Sequence, residues 1–227
     1  MRVYNFSAGP SMLPEEVVKE AAKNIEDYAG SGMSVMEMSH RSKWYDAINT
    51  ECLALVRELM NVPDNYEIIF VQGGASQQFD AIPLNLLSSF DEKADYIVTG
   101  NFANKAYKAA KKFGDIRLVA SSEDKTYTYI PKTTKDDFRK DAKYVYICEN
   151  NTIFGGKYWE LPDTGDIPIV ADLSSCIMSQ EIDVSKYGVI YAGAQKNLAP
   201  AGVTIVIIRK DLLGKANPLC PTMLNWQ

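Results

Sequence analysis

The sequence predicts an α/β fold in which a mostly parallel sheet, with one antiparallel strand, is flanked by helices. Short apolar runs rich in β-branched residues alternate with segments of helical periodicity along the 227 residues. This alternation is typical of parallel sheets, because each parallel strand is reached through a crossover. The exception is the pair VIYAGA (189–194) and GVTIVIIRKDLL (202–213), whose connection is too short for a helical crossover and therefore predicts antiparallel pairing.

The first part of the chain contains two predicted helices before the first predicted strand. Residues 14–29 are expected to be helical, since a proline and two glutamates at their start suit a helix N-terminus. Residues 43–60 place apolar side chains at helical spacing. EIIFV (67–71) is predicted to be a strand that runs into the glycine turn 73–76, and a further helix is expected over 77–87.

The rest of the chain continues the same alternation. Residues 102–113 are predicted to be a helix, and residues 133–141 a short helix or turn. The predicted strands of this part are 95–100, 116–121, 143–150, 167–172 and 189–194.

Composition excludes several classes of function. The net charge of −5 and the pI of about 5.0 argue against a nucleic-acid partner, which needs a basic surface. No apolar run is long enough to span a bilayer and the first residues lack an apolar signal core, so we expect a cytoplasmic protein with no membrane partner. Four cysteines without CxxC spacing and a single histidine, His40, argue against a metal site.

A lysine and an aspartate stand at the ends of two predicted strands. Ligands bind beyond the carboxyl ends of strands in open parallel sheets, which is where Asp172 and Lys196 fall. A desolvated Lys196 could form a Schiff base with pyridoxal 5′-phosphate (PLP), and Asp172 could keep the pyridine nitrogen of that cofactor protonated. The alternatives are an ordinary surface lysine and an aspartate that caps the Ser174-Ser175 turn.

Three further features precede these two residues in the order that a PLP site requires. The Gly73-Gly74-Ala75-Ser76 turn before a helix could bind a phosphate, or it could be only a tight turn. Phe102 could stack on the cofactor ring or belong to the core, and Thr152 could bond the ring oxygen or cap a turn. The turn lacks the nucleotide-binding patterns GxxxxGK[ST] and GxGxxG, which argues against kinases and dehydrogenases.

Several segments together resemble the phosphoserine aminotransferase family of class V, fold-type I PLP enzymes. They are YNFSAGPSMLPEEV, SVMEMSHRSK, GGASQQF and, above all, IDVSKYGVIYAGAQKN within residues 171–214, and the resemblance runs to about residue 224. It implies that residues 1–14 are an arm on the side of a smaller domain and that residues 15–227 are the PLP-binding large domain. The abrupt apolar end, LCPTMLNWQ, leads us to expect a truncated chain without the small C-terminal domain.

The resemblance also implies a role for each matched residue. Lys196 would carry PLP and Asp172 would pair with its pyridine nitrogen. The remaining cofactor contacts would come from Ala75, Ser76, Phe102, Thr152 and Gln195. His40 would help bind the substrate phosphate, and Arg41 would bind a substrate carboxylate.

The implied reaction is amino transfer from glutamate to 3-phosphohydroxypyruvate, which gives 2-oxoglutarate and O-phosphoserine. This reaction would serve serine synthesis and, in many bacteria, pyridoxine synthesis, and the implied assembly is a homodimer. Position 76 is serine where several relatives carry arginine, which leaves the fine substrate preference open.

Two other interpretations stay open at this point. A PLP-dependent lyase or desulfurase of the same fold would need a mobile nucleophilic cysteine late in the chain, where Cys220 stands. A truncated chain could also be a folded but inactive PLP-binding fragment, because a site at a dimer interface fails when one of its walls is missing.

Overall fold

The computed structural model describes residues 2–227 and contains four α-helices and seven strands among them. The helices are α1 (Glu15–Lys23), α2 (Lys43–Leu59), α3 (Gly74–Leu86) and α4 (Asn101–Ala110). The strands are β1 (Tyr66–Val71), β2 (Lys93–Val98), β3 (Asp115–Ser121), β4 (Ala142–Cys148), β5 (Ile169–Asp172), β6 (Val189–Gly193) and β7 (Thr204–Arg209).

All seven strands form one sheet in the order β1-β7-β6-β5-β4-β2-β3. The pairs within β6-β5-β4-β2-β3 are parallel, while β7 is antiparallel to both of its neighbours, β6 and β1. The predicted α/β fold with one antiparallel strand is therefore confirmed. The parallel strands β2, β4, β5 and β6 point their carboxyl ends to one edge, and the residues after them lie together there.

Three segments illustrate how the local boundaries differ from the sequence prediction. The predicted helix over 14–29 ends at Lys23, and α1 buries no residue whose packing would stabilise a longer helix. The helix expected over 77–87 begins earlier, at Gly74, since Gly73 adopts a left-handed φ of 89° that turns the chain directly into α3. The segment 133–141 forms only a short 3₁₀ turn.

Helices α3 and α4 pack on one face of the sheet, and the C-terminal part of α2 together with irregular segments covers the other. Successive residues of β6 alternate between the two sides, so Tyr191 faces α3 and α4 while Ile190 belongs to the opposite cluster. The hydrophobic cluster on each face of the sheet contains fully buried strand residues. Because the central strands are covered on both faces, they are rigid supports for the side chains at their ends. No helix within residues 2–227 is long and apolar enough to cross a membrane.

A buried carboxylate links neighbouring segments near the amino-terminal ends of the parallel strands. Asp95 on β2 is completely buried, and its two oxygens accept hydrogen bonds from Arg117 at 2.7 Å and from Arg139 at 2.8 Å. Arg139 also pairs with Asp115 at 2.8 Å. Because the charge of Asp95 is compensated on both sides, this network joins β2, β3 and the segment before β4.

We predict that Asp95→Ala lowers the free energy of unfolding by about 3 to 5 kcal/mol, because Arg117 and Arg139 both lose the buried carboxylate that they share and Arg139 keeps only the exposed Asp115. The matched control is Asp141→Ala, which breaks the exposed pair with Lys93 and should cost much less. Urea unfolding of both variants measures the difference. Equal losses would show that burial of the Asp95 network contributes nothing.

Candidate active site

A cavity of about 140 Å³ lies at the carboxyl edge of the sheet, between α3, α4 and the loops after β4, β5 and β6. Seven residues singled out in the sequence line it: Ala75, Ser76, Phe102, Thr152, Asp172, Gln195 and Lys196. Residues 121 positions apart in sequence thus meet in one small space (196 − 75 = 121). The parallel strand topology causes this convergence, because each side chain follows or precedes an element end at the same edge.

Lys196 follows β6 directly and reaches across the cavity. Its Nζ donates a hydrogen bond of 2.6 Å to Oγ1 of Thr152, in the loop after β4. The same nitrogen lies 4.9 Å from the ring centroid of Phe102, at the start of α4. The amine is therefore fixed by a hydroxyl on one side and an aromatic face on the other.

Asp172 ends β5 at the bottom of the cavity and is only 5% exposed. Its Oδ1 accepts hydrogen bonds from the backbone N–H and the hydroxyl of Ser174, at 2.9 and 2.6 Å. Its Oδ2 accepts a bond of 3.1 Å from the hydroxyl of Tyr191. Burial raises the pKa of the Asp172 carboxyl, and the bonds from Ser174 and Tyr191, with the charge of Lys196, partly oppose that rise.

The start of α3 forms the wall of the cavity opposite Lys196. The first N–H groups of a helix have no partner inside the helix, so those of Gly74, Ala75 and Ser76 are available to an anion. Gly193 lets this wall approach β6, because a Cβ there would lie 3.4 Å from Cβ of Ala75 and 2.8 Å from Oε1 of Gln195.

The N-terminal arm also contacts this site, which the sequence did not indicate. The N–H of Ser11 donates to the carbonyl oxygen of Gln195 at 3.0 Å. A Cβ on Gly9, whose φ is 152°, would lie 2.6 Å from Cγ of Lys196. Only glycine fits at that position, so the arm covers the lysine segment at close range.

Four other residues lie at or behind the site, and the sequence analysis gave Ser174 and Ser175 only as a turn that Asp172 could cap. Asn150 and Ser175 join the ends of β4 and β5, since Nδ2 of Asn150 donates to the Ser175 hydroxyl at 2.7 Å. Ser174 and Tyr191 bind the Asp172 carboxylate. The contact with Ser174 is the turn cap that the sequence left open as an alternative role for Asp172. No local signal indicates Tyr191, because it looks like any other strand residue.

His40 and Arg41 lie elsewhere. Both are exposed, in the turn before α2, and neither lines the cavity. At this turn the N–H of Arg41 donates a hydrogen bond to the hydroxyl of Ser39 at 3.2 Å. Their expected contact with substrate therefore stays a prediction.

The chain belongs to the class-V aminotransferase family, whose model matches residues 3–222. Among curated proteins it is similar to the phosphoserine aminotransferases of Lysinibacillus sphaericus (52% identity over 99% of this chain) and Bacillus thuringiensis subsp. konkukian (53% over 100%). It spans 62% of the length of each of these two relatives.

Solved structures agree with this assignment. The phosphoserine aminotransferase from Bacillus circulans subsp. alkalophilus superposes with a TM-score of 0.93 at 44% identity, over 99% of this chain and 62% of that one. A PLP-bound phosphoserine aminotransferase from Trichomonas vaginalis gives 0.92 at 38% identity, over 99% and 67%. The resemblance expected from the sequence motifs is thus confirmed.

We predict that Asp172→Asn changes stability in a pH-dependent way in the chain without cofactor. A carboxyl whose folded pKa is raised binds its proton more tightly in the folded state, so stability falls as pH rises from the ordinary value of 3.8 through the raised one. Asparagine mimics the protonated acid and should remove this fall. In urea unfolding between about pH 4 and 8, the free energy of unfolding of the variant should rise relative to that of the parent chain as pH rises.

Asp183→Asn is the matched control for this measurement. Asp183 also accepts bonds from the N–H and the hydroxyl of a serine two residues later, but it is exposed. The Ser185 hydroxyl lowers the pKa of Asp183, so its stabilising effect is present at neutral pH and is lost on acidification. Opposite pH trends are expected for the two variants, and parallel trends would contradict the account of Asp172.

Proposed function

We propose that this chain is the cofactor-binding part of a PLP-dependent transaminase that converts glutamate and 3-phosphohydroxypyruvate into 2-oxoglutarate and O-phosphoserine. The observation that carries the proposal is the meeting of Asp172, Lys196 and the start of α3 in one cavity. A buried carboxylate, an amine and an anion-binding helix start are the three contacts that PLP needs. The family membership and the similar phosphoserine aminotransferases support the same reaction.

The residues present fit PLP. Asp172 would hold the ring nitrogen, Phe102 would cover a ring face, and Thr152 would lie at the ring oxygen. Ala75, Ser76 and Gln195 would hold the phosphate, since the helix start offers free N–H groups there. When bound, PLP supplies an electron sink that stabilises negative charge at the substrate Cα.

The protein's own contribution to the reaction centres on Lys196. Its Nζ would hold the cofactor covalently in the resting protein and, once released by substrate, would accept the proton from the substrate Cα. The Thr152 hydroxyl, at 2.6 Å, keeps the amine pointed into the cavity. Asp172 would compensate the positive charge of the cofactor ring nitrogen, which its carboxylate can do only while it is ionised.

Substrate binding and assembly are further parts of the proposal. Arg41 suits a carboxylate because its planar guanidinium can donate two parallel bonds, and His40 would bind the substrate phosphate. Both residues are exposed outside the cavity, as expected if another subunit's site uses them, and we propose a homodimer. The proposed reaction would serve serine synthesis and, in many bacteria, pyridoxine synthesis, and four free cysteines favour the proposed cytoplasmic location.

The lyase or desulfurase alternative has less support. Its nucleophile would have to be Cys220, which does not line the cavity and lies against the carbonyl oxygen of Pro221. Burial raises the pKa of the Cys220 thiol, which disfavours the reactive thiolate. The inactive-fragment alternative allows weak binding of PLP or none, and it predicts no amino transfer by this chain alone.

We expect added PLP to be fixed by borohydride onto Lys196, as detected by mass spectrometry of peptides. Lys196→Ala should lose this label completely. Lys105→Ala is the matched control, because Nζ of Lys105 also lies near the Phe102 ring, at 5.7 Å, but does not line the cavity. Equal labelling of Lys196→Ala and the parent chain would overturn the assignment of Lys196.

We also expect 3-phosphohydroxypyruvate to be a better amino acceptor than hydroxypyruvate in the whole protein. Arg41→Ala should lower kcat/KM about 10- to 100-fold for the phosphorylated acceptor, since a charge-assisted hydrogen bond is lost. Lys43 is an exposed residue two positions after Arg41, so Lys43→Ala is the control and should change kcat/KM little. Equal rates with the two acceptors would contradict the phosphate-binding role of His40.

A further inference from the structure

Two buried tyrosines stand behind the Asp172 carboxylate. The hydroxyl of Tyr191 on β6 lies 3.1 Å from Oδ2 of Asp172 and 2.7 Å from the hydroxyl of Tyr146 on β4. Both tyrosines are fully buried and both belong to the core on the α3 side of the sheet. The three polar groups form a continuous line from the cavity into the core.

The number of protons fixes the direction of these hydrogen bonds. Each tyrosine hydroxyl has a single proton, and an ionised carboxylate can only accept. If Asp172 is charged, Tyr191 must donate to it, and Tyr146 must then donate to Tyr191. If Asp172 is protonated at Oδ2, the acid can donate and both tyrosine protons can turn the other way.

We propose that Tyr146 and Tyr191 are positioning residues that form a hydrogen-bonded relay, which holds Asp172 in its charged state against the ring nitrogen of the cofactor. This inference rests on the proposed function, because it takes Asp172 as the partner of that nitrogen. Both donors point toward the carboxylate only in the charged state, and each bond polarises the next one. A positively charged ring nitrogen on the cavity side selects the same state.

Several other groups surround Asp172 and act on its charge. Ser174 donates twice to Oδ1 and is itself fixed by the N–H of Gly193 at 3.0 Å, so the relay supplies the only protein bond to Oδ2 described among residues 2–227. The charge of Asp172 raises the pKa of Tyr146, Tyr191, Cys148 and Cys176, and the charge of Lys196 lowers the pKa of Asp172.

The structure contains a matched control in a second pair of buried tyrosines. The hydroxyls of Tyr96 and Tyr144 lie 2.8 Å apart on the same face of the sheet, and both residues are buried. The ring of Tyr96 stacks on that of Tyr146 at 4.7 Å, but no described hydrogen bond links this pair to Asp172. Tyr144→Phe thus removes an equivalent buried bond without touching the relay.

The first experiment needs no cofactor. Urea unfolding as a function of pH is measured for Tyr191→Phe, Tyr146→Phe, the double variant and Tyr144→Phe. Loss of a donor to the carboxylate should extend the fall in stability to higher pH, by about one pH unit for Tyr191→Phe and less for Tyr146→Phe. Tyr146→Phe should add no further shift in the Tyr191→Phe background, and Tyr144→Phe should shift nothing.

Asp172→Asn completes this test. In that background the effect of Tyr191→Phe should lose its pH dependence, since no carboxylate remains to respond. Losses of stability that are independent of pH for all three tyrosines would overturn the relay, because they would show only missing buried hydrogen bonds.

The second experiment separates the relay from the proposed function. Tyr191→Phe should weaken PLP binding about 10-fold or more, measured by spectroscopic titration. It should hardly affect the analogue in which carbon replaces the ring nitrogen, because that ring makes no charged contact with Asp172. Equal weakening of both ligands would overturn the relay alone. Failure of the parent chain to bind PLP would overturn the proposed function, while the pH series would still decide the relay.

Discussion

The site depends on a carboxylate that is kept in the interior of the protein. Asp172 is almost completely buried, and removing a charge from water is costly unless hydrogen bonds and an opposite charge compensate it. Ser174 and Tyr191 supply the hydrogen bonds, and Lys196 contributes positive charge on the cavity side. These partners come from three different parts of the chain, so the strand order that assembles them is a condition for the chemistry.

The sheet fulfils this condition through its parallel core. Strands β4, β5 and β6 are neighbours, with Cys148 paired to Asp172 and Asp172 to Tyr191 in the register. Because each strand is buried on both faces, the side chains at its end start from a fixed backbone. The helix start after Gly73 then completes the cavity from the opposite side. Rigid elements on all sides allow a cavity of about 140 Å³ to hold several polar groups at defined distances.

The need to compensate a buried carboxylate also explains the arrangement around Asp95, near the amino-terminal ends of the parallel strands. Asp95 is also fully buried, and two arginines compensate it where the site compensates Asp172 with hydroxyls and an amine. Guanidinium groups fully satisfy a carboxylate and leave it inert. Asp172 instead retains one side that faces a cavity, which makes it available to a positively charged ligand.

Sequence alone determined the α/β class, the antiparallel strand β7 and seven residues of the cavity, because apolar periodicity, connection length and strand-end position are local signals. It could not determine where the arm lies, since Gly9 and Ser11 reach the Lys196 segment through space. It could not separate Tyr191 or Tyr146 from ordinary strand residues either. Their role depends on the lateral order of β4, β5 and β6, and that order is decided only when the two faces of the sheet are packed.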